Sequence, residues 1–447
     1  MSKSEELYRR DAKVLSNILK LRFNPFVAKR GEGILLYDAD GKKYIDFSAS
    51  WGVMNTGYNH PRIIKAVTEQ MNRLSFATNC SIMTEESILL AEHLTELLPG
   101  DFEKKVWYGH SGSDANEFIS KIVPLATGRP RILTFVGAYH GQTMGSYAMS
   151  GHPAQSRFIG GGNVTKIPYP YCYRCAFEKD PENCGLFCLK YLEDYIFKSV
   201  TYPEQVGAIV VEAIQCDGGD VVPPDGFLNR LEEICRRHGI YLIIDEVKIG
   251  YGRTGKMFGF ENSGVVPDAV IMGKPMGSGQ PLSAVVGRKE LMDAGVGMHL
   301  FTTAGNPVAC AAGIETIKII QDEALAENAE RIGNYLIAAL REMAKKYEII
   351  GDVRGKGLVI GVELVKAGKE KEPADDLAAM IVYRAYELGL ILYSAGIFSN
   401  VLEMTPPLAL TKEQADEALS ILQQAFDDVL EGRFDKNKLT EFAGWSS

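Results

Sequence analysis

Between about residues 100 and 290 the chain repeats one pattern: short apolar runs, nearly unbroken rather than alternating, separated by one-faced helical segments. The runs are KVWY (105–108), RILTF (131–135), AIVVEAI (208–214), IYLIIDEV (240–247), DAVIMG (268–273) and LSAVVG (282–287). A strand with one wet face alternates apolar and polar residues, whereas an unbroken run suits a strand covered on both faces. The covering helices are visible between the runs. In GFLNRLEEICRRHG (226–239), Phe227, Leu228, Leu231, Ile234 and Cys235 share one side, and a glycine closes the segment. The pattern predicts an α/β domain around a largely parallel sheet.

The flanks read differently. Residues 1–60 hold a helical start and then GILLYDADGKKYIDFS, a hairpin signal with its turn around Ala39-Asp40-Gly41. Beyond residue 310 come long helical patterns, strand signals at LVIGVEL (358–364) and GLILYS (389–394), and a last helix at 412–432. The expected organisation is a large α/β domain over 61–310 and a smaller α+β domain assembled from 1–60 and 311–447. No repeat, low-complexity tract or Pro- or Ser-rich linker interrupts this plan.

Composition excludes several partners. A net charge of -9 disfavours nucleic acid and anionic membranes, which need clustered Lys and Arg. No apolar run approaches the roughly 20 residues that cross a bilayer. The start, MSKSEELYRRDAKVL, lacks the apolar centre of a signal peptide, so a cytoplasmic protein with a small-molecule substrate is expected. Eight cysteines in 447 residues do not make a disulfide scaffold. Cys80, Cys216, Cys235 and Cys310 read as packing residues. Cys172, Cys175, Cys184 and Cys188 have a spacing that a zinc knuckle could use, the plainer alternative being four reduced thiols in a surface excursion.

In open α/β sheets, ligands bind beyond the carboxyl ends of the strands. Asp245 closes the strand YLIIDEV, where a carboxylate must find a partner. Lys274 directly follows DAVIMG and is crowded by glycines. GHSGSDANE (109–117) lies between a strand and a helix, so Gly112 and Ser113 offer backbone N–H groups beside the hydroxyls of Ser111 and Ser113. That arrangement suits a phosphate. Tyr139, in AYHG after RILTF, offers an aromatic plate. A phosphate cradle, a flat ring, a carboxylate and a lysine together are what pyridoxal 5′-phosphate requires of a protein: the lysine for a Schiff base, the carboxylate to keep the pyridine nitrogen protonated.

The stretch DEVKIGYGRTGKMFGFENSGVVPDAVIMGK, with GSDAN, GAYHG and TTAGNP, resembles the class III aminotransferase family of fold-type I pyridoxal phosphate enzymes. The resemblance runs from about residue 25 to 425. It implies a homodimer or tetramer with active sites at the subunit interface. It further implies Lys274 as the Schiff-base lysine, Asp245 as the pyridinium partner, Tyr139 as the stacking ring, and Gly112 and Ser113 as the phosphate loop. Thr302 matches a threonine that reaches the phosphate from the other subunit.

Three departures from that family's aminotransferases bear on the reaction. Lys248 stands where Gln is usual after DEV, placing a second lysine near Lys274 that would help deprotonate one of the two amines. Glu403, in VLEMTPPL (401–408), replaces an Arg that binds the substrate carboxylate, and a carboxylate there would repel one. Asp217 stands where Glu is common, and a shorter acid could approach the α-carbon opposite Lys274 for a two-base proton exchange. These departures resemble the α-amino-ε-caprolactam racemases, which also racemise amino acid amides. Trp51, RFNPF (22–26) and FAGW (442–445) fit that branch too, implying that Trp51 and Tyr139 flank the substrate. The expected activity is racemisation of α-amino acid amides or lactams by Lys274, Asp217 and Lys248. The competing readings are an aminotransferase for ω-amino donors such as 4-aminobutyrate, a broad amino acid racemase or epimerase, and a pyridoxal phosphate-binding protein without turnover.

Overall fold

The computed structural model describes residues 2–156, 162–442 and 444, and the elements below are those of the described residues. Strands β1 (Ala28–Glu32), β2 (Leu35–Asp38) and β3 (Lys43–Asp46) open the chain. The middle carries β4 (Lys104–Gly109), β5 (Arg131–Phe135), β6 (Val164–Ile167), β7 (Val206–Glu212), β8 (Tyr241–Asp245), β9 (Ala269–Met272) and β10 (Ser283–Arg288). The last are β11 (Ile350–Lys356), β12 (Val359–Leu364), β13 (Leu390–Ile391), β14 (Tyr393–Ala395) and β15 (Val401–Met404).

The middle strands form one sheet in the order β4-β10-β9-β8-β7-β5-β6. The five strands from β9 to β6 run parallel, and β10 pairs antiparallel with both β9 and β4. The α/β class expected from the apolar runs is the observed one. Every residue of β7 and β9 is buried, as strands covered by helices on both faces require. The helix Phe227–His238 buries the five residues of its apolar side and ends at Gly239, whose left-handed φ of 59° suits glycine. Strand β6 has no counterpart among the apolar runs. It is short, at the sheet edge, and buries only Ile167.

Two smaller sheets complete the fold. In the first, β1-β2-β3-β13, the N-terminal hairpin is joined by a parallel pairing of β3 with a strand from the C-terminal part. The second, β11-β12-β15-β14, is antiparallel. The GLILYS run divides between them, β13 in one and β14 in the other, with Leu392 fully buried at the junction. No helix of the described residues is long and apolar enough to cross a membrane. Among the described residues no group of three or more His, Cys, Asp or Glu side chains is arranged to hold a metal ion, and Cys172, Cys175, Cys184 and Cys188 are free thiols. Of the FAGW segment, Ala443 and Trp445 lie outside the described residues. Gly444 packs against the Phe23 ring.

The hairpin turn between β11 and β12 is wedged into the body of the protein. Gly357, at φ 58°, lies against the backbone of Arg253 and Thr254 on one side. On the other, its carbonyl meets Gly333 in the helix Leu325–Lys346 so closely that a Cβ at 333 would collide with backbone. Backbone cannot swing aside as a side chain can, so Gly333→Ala is expected to destabilise the protein by about 1–3 kcal/mol. The thermal unfolding midpoint, compared with that of the helix-surface variant Asn334→Ala, checks this.

Candidate active site

A cavity of about 390 Å³ opens where the central strands end. Its walls come from the segments after β4 (His110–Ser113), β5 (Tyr139–Gly141), β7 (Glu212, Asp217), β8 (Asp245, Val247, Lys248) and β9 (Lys274). Parallel strands aim their carboxyl ends at one rim, which is why residues far apart in sequence converge there.

Asp245 ends β8 with its carboxylate held on three sides. Oδ2 accepts from Asn116 Nδ2 at 2.9 Å and lies 2.8 Å from His140 Nδ1, while the Val247 N–H donates to Oδ1 at 3.0 Å. These contacts leave the carboxylate little freedom to turn. Beside it lies the start of the helix Gly112–Thr127, capped by Ser111, whose hydroxyl accepts from the Asp114 N–H at 3.3 Å. The first amides of such a helix have no intrahelical acceptor and favour an anion. The wall is also tightly built. A Cβ at Gly112 would stand 2.7 Å from Val247, and one at Gly273 would stand 3.3 Å from the Gly112 nitrogen.

Lys274 follows Gly273 with φ of 37°, a left-handed conformation that costs a non-glycine residue about 1–3 kcal/mol and marks a constrained position. Its Nζ lies 6.0 Å from the centroid of the Tyr139 ring. Burial, and then the charge of Lys248, lower its pKa below the ordinary lysine value. Lys248 is the opposite case. Burial works against its ammonium, but Asp217 and then Glu403 outweigh it, and the pKa stands well above the usual value. Asp217 is buried too, yet Lys248, Lys274 and His152 overcome that burial and hold its carboxyl below the usual range. The site thus contains a charged lysine, a lysine biased toward its neutral form, and an ionised acid.

Glu403 does not line the cavity. It lies behind Lys248, 1% exposed, with Oε2 accepting from Lys248 Nζ at 2.6 Å. The repulsion of a substrate carboxylate expected from the sequence is therefore blunted, because the glutamate's charge is matched by Lys248 in a buried pair. Trp51 also stands behind Lys248, whose Nζ is 5.0 Å from its ring centroid. Phe23 and Tyr393 support that ring, with centroids 5.9 and 4.7 Å away.

The structure brings Ser111, Gly112, Ser113, Tyr139, Asp217, Asp245, Lys248 and Lys274 to one cavity, with Trp51 and Glu403 behind it. Thr302 is exposed and outside this cavity. Several residues absent from the sequence reading join the site. His140 and Asn116 orient Asp245, and Glu212 accepts from the Tyr139 N–H at 3.3 Å. His152, 3% exposed, lies beside Asp217, and burial lowers its pKa below the ordinary histidine value. Their signal lay in adjacency: His140 follows Tyr139, and Asn116 sits one helical turn after Gly112.

Comparisons with known proteins place the chain in a family. The family model for class III aminotransferases matches residues 20–426. An alanine/serine racemase of Pyrococcus horikoshii is 43% identical over 447 residues, covering 98% of this chain and 93% of that protein. A leucine/methionine racemase of Thermococcus litoralis is 41% identical over 446 residues, covering 99% and 100%. Among solved structures, a thermostable (S)-enantioselective omega-transaminase from Thermomicrobium roseum superposes with a TM-score of 0.88 at 32% identity, covering 96% of this chain and 100% of its own.

The buried lysine–glutamate pair can be tested apart from any reaction. Removing one partner strands the other charge, so Lys248→Met is expected to cost about 3–5 kcal/mol. The double variant Lys248→Met/Glu403→Leu removes both charges and should recover most of that loss. Urea unfolding of the single and double variants measures the difference.

Proposed function

This chain belongs to the class III aminotransferases, and we propose that within the family it is an amino acid racemase or epimerase rather than an aminotransferase. Its cofactor is pyridoxal 5′-phosphate, and the residues present fit that group. Gly112 packs against Val247 too closely for a Cβ, and the helix it starts presents N-terminal amides to a phosphate at the cavity. The His140 Nε2 and Asn116 Oδ1 atoms are buried without protein hydrogen bonds beside the oriented Asp245. In this reading Gly112, Ser113 and the Ser111 hydroxyl hold the phosphate, Asp245 pairs with the ring nitrogen, Tyr139 covers a ring face, and Lys274 is the covalent anchor. When bound to a substrate amine, the cofactor's pyridine ring withdraws electrons and acidifies the α C–H bond.

The observation that carries the racemase reading is the pairing of Asp217 and Lys274 on one cavity. Asp217 is held ionised and can take a proton at its carboxylate oxygen. Lys274, with a lowered pKa, can take or return one at Nζ. Two bases around one carbon allow removal from one face and delivery to the other, which inverts the centre. Lys248 stays charged and orients the substrate's carboxyl-derived group, with Trp51 packed behind it. The substrates we propose are neutral α-amino acids, in keeping with the alanine/serine and leucine/methionine racemases that the chain resembles. Amides and lactams are a second reading, favoured by one observation: among the described residues, no arginine lines the cavity.

We further propose a homodimer in the cytoplasm. Exposed apolar side chains at Phe76, Ile82, Met83, Met298 and Leu300 support a covered surface near Thr302, through which that threonine would reach a partner's phosphate. Eight free thiols suit a reducing compartment.

In heavy water, with no keto acid present, L-leucine, L-alanine and their amides are expected to gain α-deuterium while optical rotation falls to zero. Rotation that persists until a keto acid is added would return the chain to the aminotransferases. Asp217→Asn should slow racemisation by about 10²–10⁴-fold while the cofactor's visible absorbance remains. Lys274→Ala should lose the absorbance of the anchored cofactor.

A further inference from the structure

Three buried carboxylate oxygens next to the site have no hydrogen-bonding partner in the protein: both of Asp220 and Oε1 of Glu403. Asp220 is fully buried and sits at φ 50°, a conformation a non-glycine residue adopts only under constraint. The backbone around it is pinned. Its own N–H donates to the Cys216 carbonyl at 2.9 Å, and Val221 and Gln215 exchange two backbone hydrogen bonds. The preceding Gly219 carbonyl accepts from Arg354 Nε and Nη2 at 2.9 and 2.6 Å. Arg354 therefore grips the turn rather than the Asp220 carboxyl.

Register explains why two acids meet here. Gly361 in β12 stands opposite Glu403 in β15, and opposed residues of an antiparallel pair present their side chains on the same face. A Cβ on Gly361 would stand 3.0 Å from the Asp220 Cβ. The absent side chain at 361 thus leaves the space beside Glu403 that Asp220 occupies. Lys248 donates to the other oxygen, Oε2, of Glu403.

We infer that Asp220 is a protonated carboxylic acid whose O–H donates to Glu403 Oε1, and that this acid–carboxylate pair is a positioning device that commits Glu403 to Lys248 and leaves Asp217 free to act on the substrate. Two adjacent buried carboxyls cannot both stay ionised without matching cations. The groups facing Asp220 are Glu403, Lys248, Arg354 and Asp217, with the Cys216 thiol and Arg253 nearby. Arg354 is already bonded to Asp352 and Glu363, and Arg253 to backbone carbonyls and Asn55. Lys248 is the cation bonded to Glu403, and it also acts on Asp217. Burial first, and Glu403 next, raise the Asp220 pKa well above the ordinary value, in agreement with the geometry. With Asp220 neutral, its hydroxyl oxygen and Glu403 Oε1 become each other's partners, and Lys248 faces one anion on each side.

The protonated state is independent of the reaction, whereas the positioning role rests on the racemase reading. Infrared difference spectroscopy of the substrate-free holoenzyme, wild type minus Asp220→Asn, is expected to isolate one protonated-carboxyl carbonyl band from those of other buried acids such as Glu212 and Glu246. Stability supplies a second readout. A carboxyl whose folded pKa lies above its unfolded value of about 3.9 contributes fully below that value and loses its contribution as pH climbs toward the folded pKa. Asparagine has no such loss, so the thermal midpoint of Asp220→Asn should gain on wild type between about pH 4 and 8. An absent band, or an offset flat with pH, overturns the protonated acid whichever reaction the enzyme performs. For the role, Asp220→Asn keeps a donor to Glu403 and should hold kcat within about threefold. Asp220→Ala should lower kcat by tenfold or more, with KM for the same amino acid little changed. A band that is present, with Asp220→Ala turning over as wild type, overturns the positioning role alone. Failure of the racemase reading would show separately, in wild-type protein that exchanges no α-proton.

Discussion

The buried ion pair between Lys248 and Glu403 is the contact around which the rest of the site is arranged. It joins the segment after β8 of the central sheet to β15 of a separate small sheet, at 2.6 Å and away from water. A pair this buried contributes little net stability, because desolvating two charges offsets their attraction. Its effect is electrostatic. Glu403 holds the ammonium from one side while Asp217 attracts it from the other, so a full positive charge persists where burial alone would remove it. That charge then acts on both candidate bases in opposite senses, biasing Lys274 toward the neutral amine and Asp217 toward the carboxylate.

The pair keeps its geometry because a second cation clamps its surroundings. Arg253 is completely buried, and its Nη1 donates to the Leu358 and Pro406 carbonyls at 3.0 and 2.5 Å. Its Nη2 donates to Asn55 Oδ1, and Asn55 Nδ2 donates onward to the Gly250 and Tyr251 carbonyls at 3.3 and 2.8 Å. Lys248 lies shortly before Arg253 in sequence, Glu403 shortly before Pro406, and Trp51 shortly before Asn55. One guanidinium therefore gathers the three segments that carry the lysine, its counter-ion and the ring behind it. The same glycine-rich turn that presses against Arg253 also presses against the helix Leu325–Lys346, so local packing on the far side of the small sheet bears on the site.

Much of this was legible from residue order, and the reason is physical. Strands buried on both faces must be apolar throughout, so the runs RILTF, AIVVEAI, IYLIIDEV and DAVIMG announced both the sheet and the rim where its ligands gather. Asp245 and Lys274 were readable because a charge at the end of such a run needs a purpose. Lys248 and Glu403 were each picked out, but separately, one as a neighbour of Lys274 and the other as a source of repulsion. Nothing in a sequence says that two residues 155 positions apart will meet, and their meeting changes the meaning of both. Asp220 was hidden for a related reason: its importance comes from the empty side-chain position at Gly361, which depends on the register of β12 against β15. Strand β6 escaped because an edge strand with one buried residue carries almost no apolar signal.

The constrained backbone conformations give the same picture from another direction. Trp51, Asp220 and Lys274 all have positive φ, at 65°, 50° and 37°, though none is glycine. Such conformations persist only where surrounding contacts over-determine them. Each of the three lies against the cluster of charges around Lys248, and each is a residue whose direction matters more than its burial. A reaction that must add a proton to either face of one carbon gains from bases that cannot drift toward each other, since a base that followed the proton would return it to the face it left. Lys274 is fixed by its strained turn, and the Asp217 backbone by the Gly396 N–H, which donates to the Asp217 carbonyl at 3.0 Å, so different contacts place two groups whose charge Lys248 tunes together.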